Sequence, residues 1–472
     1  MSCLNPADDR FRALLAEEME EDCFRPVTPA YLEDPRGNLE GKAGLVLAPR
    51  NVQEVAAIVR LCADNRVPIV PFGGGTGLVG GQIMTDGPDP VVLSLERMKA
   101  IREVLPLENT IVVEAGATLM AVQDAAEEAG LLFPLSLAAE GTCQIGGNLA
   151  TNAGGVNVLR YGNTRDLCLG IEAVLPDGQI WNGLTRLRKD NTGFDLRNLL
   201  IGSEGALGII TAASLKLFPR PSSNATSMMA VESPEAALKL LQRARKLAGD
   251  AISAFELIQG SGLEFLSDTM PDLRLPFDET PEWAVLIDLG LHEGQNGENI
   301  LMDLFEFDLE AGLVHDGLIA QSEKQRADFW HAREHIPEAN RLIGAVTNND
   351  ISLPLGNIPA FIEAASQKIH KTTPLRINCF GHLGDGNLHF NIFPPRGETR
   401  DAHMHLKPRV ENLVYDLVKE LQGSFSAEHG IGRIKVEALK TYADPAKLSA
   451  LTAIKHALDP KGIMNPGAVL AP

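Results

Sequence analysis

The sequence predicts an α+β fold of more than one domain, and three observations carry that reading. Helix and strand patterns alternate along the chain without an internal repeat. A polar, turn-rich break, Pro219-Arg-Pro-Ser-Ser-Asn224, divides it. Its chemistry is segregated too, with dense glycine segments before the break and all eleven histidines after residue 290. At 472 residues the chain has room for two or three domains with large buried cores.

Taken in order, Val52–Asn65 places Val55, Ile58, Val59 and Cys62 at helical spacing, and Val67–Pro71 is a short strand running into glycines. Strands are expected at Val91–Leu95 and Thr110–Glu114, a helix at Leu119–Ala129, and strands again at Leu167–Leu175 and Gly208–Leu217. Past the break come a helix (Glu235–Leu247), a strand (Ala251–Leu257), an acidic loop, an apolar strand (Ala284–Leu289), and helices at Gly297–Glu310 and Ser322–Leu342. From Cys379 a glycine turn, a strand, one long helix (Asp401–Leu421) and a tail with Asn465-Pro-Gly467 complete the pattern, an α+β cap on a sheet.

Composition narrows the function classes. Hydrophobic residues make up 44% and charged residues 22%, ordinary for a globular protein. A net charge of -20 repels phosphate backbones and anionic lipid, so nucleic acid is not an expected partner. No apolar run is long enough to span a bilayer. Met1–Glu21 carries six acids among its apolar residues, unlike a secretory or mitochondrial leader, so a cytoplasmic protein is expected. The cysteines (Cys3, Cys23, Cys62, Cys143, Cys168, Cys379) show no CxxC spacing and read as reduced, structural thiols.

Three glycine segments precede the break: Pro71-Phe-Gly-Gly-Gly-Thr-Gly-Leu-Val-Gly-Gly81, Gly141-Thr-Cys-Gln-Ile-Gly-Gly-Asn-Leu-Ala-Thr-Asn-Ala-Gly-Gly155 and Gly202-Ser-Glu-Gly-Ala-Leu-Gly-Ile-Ile-Thr211. Glycine lets backbone N–H groups approach a pyrophosphate, and three such clusters exceed what turns alone require. The first lacks the Rossmann spacing and the Walker Lys-Ser/Thr end. In order and spacing the segments resemble the PCMH-type FAD domain of the vanillyl-alcohol oxidase superfamily. That resemblance implies pyrophosphate contacts from Pro71, Gly73, Gly74, Gly75, Thr76, Gly77 and Leu78. It puts Gly141, Thr142, Gly146, Gly147, Asn148 and Thr151 along the flavin and ribityl chain. Glu204, Gly208, Ile209 and Ile210 would hold the adenosine and ring edges, with Asn465 joining from the tail. No histidine precedes His292, so the FAD is expected to be non-covalent; Cys143 reads as structural.

The second constellation is Gly381-His-Leu-Gly-Asp-Gly-Asn-Leu-His-Phe-Asn391 with Ser426-Ala-Glu-His-Gly-Ile-Gly-Arg433. His389 and Asn391 share a strand face, and His382 can fold back beside His389. Two imidazoles and a carboxylate suit a divalent metal with open positions. Spacing alone leaves equally open that they satisfy buried polar groups. These segments resemble those of FAD-dependent D-2-hydroxyacid dehydrogenases, nearest the D-2-hydroxyglutarate branch and next the D-lactate branch. The resemblance implies His382, His389 and Glu428 as ligands of zinc, or else manganese, His429 as the base, and Asn391 as a substrate contact. His403 and His405 are expected to be solvated.

Leu184–Asp195, Ala251-Ile-Ser-Ala-Phe-Glu256 and Ser426–Gly430 also resemble the hydroxyglutarate branch. That branch grips the far carboxylate with Arg, Thr and Lys. Here Arg333 matches the arginine, but Pro337 and Asn348 stand at the other two positions. Losing that cation costs about 1.5–3 kcal/mol of hydrogen bonding to charge, so lactate or another short acid remains open. For Arg333 the bland alternative is a surface pair with Glu334 or Glu338.

The expectation is therefore an FAD domain at 1–220, a substrate cap at 221–423 and a C-terminal segment at 424–472 returning to the flavin. The implied reaction is FAD- and metal-dependent oxidation of a D-2-hydroxy acid, D-2-hydroxyglutarate first, with electrons passing to an electron-transfer flavoprotein or quinone, and a homodimer is considered. The alternatives are a D-lactate or glycolate dehydrogenase, a non-redox FAD-dependent ether-lipid synthase, or a non-catalytic flavoprotein subunit.

Overall fold

The helix Val52–Asn65 shows how the sequence builds the first half of the protein. Asn51 caps it by accepting the Glu54 N–H at 2.9 Å, and Val55, Ile58, Val59 and Cys62 bury its apolar stripe. The computed structural model describes residues 4–37 and 39–471, so Cys3 lies outside them. It divides into two units. The first comprises residues 1–155, 162–220 and 428–472, the second 156–161 and 221–427.

In the first unit a four-stranded sheet runs Phe24–Arg25, Leu45–Leu47, Val91–Ser94, Ile69–Phe72, the last three parallel. A five-stranded antiparallel sheet runs Ile101–Leu105, Thr110–Glu114, Ile209–Lys216, Cys168–Val174, Ile180–Gly183. One core of Val55, Ile58, Ile69, Leu93, Val174 and Ile209 joins the Val52–Asn65 helix to both sheets. Ile463 and Met464 enter that core from the far end of the chain, and the Ile69 backbone bonds Ile463 and Asn465 at 2.8 Å each.

The second unit is a seven-stranded antiparallel sheet: Val314–Ile319, Ser223–Val231, Trp283–Leu291, Ile252–Gln259, Arg376–Gly381, Asn387–Phe393, Thr347–Ser352. Side chains alternate between its faces. Phe390 stacks edge-on to Phe361 of the helix Ile358–Thr372, whereas Phe393 meets Phe265 of the helix Gly260–Thr269. The helix Glu323–Ile343 lies on the Phe393 side, with Phe329, Ala332, Ile336 and Ala339 buried against Ile258 and Phe380.

Two local expectations are corrected, and one further helix is found. The long helix over Asp401–Leu421 is broken into Arg400–His403, a 3-10 turn and Lys407–Glu420, because Pro408 has no N–H and fits only in a first turn. His403 is not solvated: it is buried, with Nε2 2.7 Å from Glu398 Oε2. Ile145–Thr151 is a helix, although Gly146 and Gly147 disfavour one.

Candidate active site

In the first unit the site is made of backbone. The strand Ile69–Phe72 delivers Pro71 to the half-exposed loop Gly73–Leu78, where Gly75 turns at φ +71°. A Cβ on Gly74 would lie 2.0 Å from the Thr142 carbonyl oxygen, and the Gly147 Cα is 3.7 Å from where a Gly73 Cβ would be. At Gly74 the first two glycine segments therefore approach more closely than a side chain permits, and at Gly73 they are in ordinary contact. By contrast a Cβ on Gly147 would meet nothing within 4 Å, which leaves space beside the first turn of the helix Ile145–Thr151. The Thr151 hydroxyl donates back to the Gly147 carbonyl at 3.0 Å. Gln144 Oε1 and Asn148 Oδ1 are buried there without a hydrogen-bond partner. Orphaned polar atoms and an open glycine surface fit a polar cofactor such as FAD.

The third glycine segment also holds the tail of the chain. Glu204 sits at φ +52°, a left-handed backbone costing a non-glycine residue about 1–3 kcal/mol. Its carboxylate accepts the N–H groups of Ile431 at 2.7 Å and Gly432 at 2.8 Å, so this side chain anchors the tail. Burial pushes the Glu204 carboxyl up, against the pull of those two N–H groups. Gly208 leads into the strand Ile209–Lys216, which buries Ile209 and Ile210. Asn465 donates to the carbonyls of Gly81 and Glu204 at 2.8 Å each, and Arg433 to those of Gly80 and Gly81 at 3.1 Å. This clamp fixes the segment carrying Glu428 and His429, both half-buried. Glu428 Oε1 accepts the Gly155 N–H at 2.9 Å. Cys143 is buried, and desolvation raises its thiol, as suits a structural role.

In the second unit the site is made of side chains on strands. His382 stands in the turn after Arg376–Gly381, and His389 on Asn387–Phe393. Their rings are 5.7 Å apart, with ligand nitrogens within 4.8 Å of one another. Arg333 is not on the surface. It is 5% exposed, and its Nε and a terminal nitrogen donate to Glu256 Oε2 at 2.7 and 2.6 Å. Glu334 and Glu338 do not take it up; Glu338 pairs with Arg341 at 2.7 Å.

Glu256 is the residue that sequence reasoning missed. Its other oxygen, Oε1, lies 2.7 Å from His382 Nδ1. Burial alone would raise this carboxyl; the neighbouring His382 and Arg333 charges reverse that and hold it at about 2. The signal was present in Ala251–Glu256, a resemblance segment whose acid falls in an otherwise apolar strand.

A row of amides completes this face. Asn348, Asn391 and Asn378 are direct cross-strand partners on three neighbouring strands. Asn391 is buried and accepts the Asn349 N–H at 3.2 Å, Asn378 donates to Asn340 at 2.8 Å, and Asn348 is exposed. Asn378 and Asn340 were not singled out from sequence, because Asn378 joins the row only through strand register and Asn340 meets it from the helix Glu323–Ile343.

Two family models match the chain. A family described as FAD binding domain matches residues 43–183, and one described as FAD linked oxidases, C-terminal domain, matches residues 220–469. The chain is 37% identical over 431 residues to D-2-hydroxyglutarate dehydrogenase, mitochondrial, of Arabidopsis thaliana, covering 91% of this chain and 76% of the relative. The Bos taurus protein of the same name is 37% identical, with coverage of 94% and 80%. D-2-hydroxyglutarate dehydrogenase of Xanthomonas citri is 36% identical, with coverage of 89% and 88%. Among solved structures, p-cresol methylhydroxylase superposes with a TM-score of 0.74 at 18% identity, covering 97% of this chain and 95% of that one. An alkyldihydroxyacetonephosphate synthase gives 0.71 at 18%, with coverage of 99% and 86%. At such identity these two establish the PCMH-type fold alone.

Proposed function

The chain belongs to the FAD-dependent D-2-hydroxyacid dehydrogenases acting on CH–OH donors, and from that premise we propose that it oxidises D-2-hydroxyglutarate to the 2-oxo acid with the help of a divalent metal. The observation that carries this proposal is the pair His382 and His389, with ligand nitrogens within 4.8 Å of one another, His389 on the strand face that also bears Asn391.

FAD, when bound, supplies the two-electron acceptor for the hydride from Cα. His382, His389 and Glu428 are a donor set that would suit zinc, whose Lewis acidity would lower the pKa of the substrate hydroxyl. His429 takes the hydroxyl proton as general base. Asn391 donates to the acid's near end. Arg333 and Asn348 serve the far end, with an amide where the resemblance expects an ammonium. The electrons would pass to an external acceptor, an electron-transfer flavoprotein or a quinone.

One observation favours a second reading. The Arg333 charge is already matched by Glu256, and Asn348 brings none, so the far end is weakly cationic for a dicarboxylate. D-lactate or another short D-2-hydroxy acid would suit such a pocket. Anaerobic flavin bleaching by metal-replete protein separates the two, using D- and L-2-hydroxyglutarate, D- and L-lactate, D-malate and glycolate, each with and without chelator. Chelator-sensitive bleaching by D-2-hydroxyglutarate supports the first reading, and bleaching by short acids alone the second. Bleaching by none of them overturns both.

A further inference from the structure

A closed ring of contacts joins groups to which the mechanism gave separate tasks. Glu256 Oε1 meets His382 Nδ1 at 2.7 Å, and Oε2 meets Arg333 at 2.6 Å. The Arg333 guanidinium lies 5.0 Å from the centre of the Phe380 ring, and Phe380 packs on His389 with centroids 5.0 Å apart. His389 then returns to His382 at 5.7 Å between centroids. Glu256, Phe380 and His389 stand on one face of the sheet, His382 in the turn after Gly381 and Arg333 on the helix Glu323–Ile343, and Glu256 is 1% exposed.

Resting on the metal-assisted reading above, we propose that Glu256 is a positioning residue whose two oxygens couple the metal-side histidine to the substrate-side arginine. As an acceptor at Nδ1 it keeps the proton on that nitrogen, which leaves Nε2 of His382 as the coordinating lone pair. With its second oxygen it fixes the guanidinium, so the orientation of Arg333 toward a carboxylate is set by the same anion that orients the metal ligand. A carboxylate is needed for both tasks together. An amide offers one oxygen and one NH2 group, so it can serve only one partner and must present a donor to the other.

The test compares Glu256→Gln, Glu256→Asp and Arg333→Gln with wild type, all as FAD-loaded protein. Zn2+ affinity is measured by competition with a chromophoric chelator, and kcat and KM are measured for D-2-hydroxyglutarate. In Glu256→Gln the inference expects Zn2+ affinity to fall roughly 10–100-fold with FAD content unchanged, as for loss of a carboxylate behind a metal-bound histidine, and KM to rise as well. Arg333→Gln should raise KM while Zn2+ affinity stays within about threefold, since Glu256 still faces His382. If Glu256→Gln does not fold, Glu256→Asp carries the test: a shorter acid must loosen zinc and raise KM in one variant. Zn2+ affinity and KM both at wild-type values in whichever Glu256 variant folds would overturn the inference while leaving the metal reading intact. A wild-type protein that binds no Zn2+ at this pair overturns the reading, and the inference with it.

Discussion

The two units solve the problem of holding a ligand in opposite ways. The first builds its site from backbone: Gly74 against the Thr142 carbonyl, the open flank of Gly147, and carbonyls clamped by Arg433 and Asn465. The second builds from side chains on antiparallel strands: two imidazoles, a buried Glu–Arg pair and a row of amides set by register. A backbone site fails when atoms are added. A side-chain site fails when a functional group is removed or its partner is left behind, and stranding one charge of a buried pair costs about 3–5 kcal/mol.

Substitutions can break or sharpen that contrast. The largest effect is expected from removing the proton acceptor: His429→Ala should lower kcat about 10²–10⁴-fold with FAD retained, read by single-turnover flavin reduction. Next comes Gly74→Ala, whose added carbon has no room beside Thr142. It should cost about 1–3 kcal/mol of stability and yield flavin-poor protein, whereas Gly147→Ala should fold at least as well as wild type yet bind FAD more weakly. Equal FAD retention in both would refute the backbone account. Restoring a cation with Asn348→Lys should lower KM for D-2-hydroxyglutarate relative to D-lactate roughly tenfold, the value of one hydrogen bond to charge.

The smallest effect concerns the thiols. Burial raises Cys23 from 9.0 to about 11 and Cys168 to about 12. These groups ionise more readily in the unfolded chain, so their contribution is complete below pH 9 and is lost as pH climbs toward those raised values. The loss grows with pH over that window, and Cys168→Ala should flatten the fall in urea midpoint between pH 8 and 10.5.

How much of this was legible depends on range. The helices Val52–Asn65 and Gly297–Glu310 could be read to their ends because periodicity and caps are local signals. The glycine segments and the His382/His389 turn were also visible, since each is contiguous. What escaped was non-local. Nothing near Glu256 in sequence reveals that His382, 126 positions away, and Arg333, 77 positions away, converge on it. The row Asn348–Asn391–Asn378 exists only through pairing register. The segment Val158–Tyr161 belongs with the second unit although it lies among first-unit residues, because Arg160 donates to the Gly290 carbonyl at 2.7 Å. The glycine-rich motif around Glu204 likewise gives no sign that its carboxylate holds a tail 227 residues downstream.

The most direct test of the whole account separates cofactor holding from substrate chemistry in one sample. The FAD-loaded protein is stripped with chelator, its bound flavin spectrum is recorded, and anaerobic D-2-hydroxyglutarate is added before and after Zn2+ is returned. The account predicts that the flavin stays bound throughout, remains oxidised while the metal is absent, and bleaches once Zn2+ is restored. Bleaching at an unchanged rate in the stripped protein would contradict it.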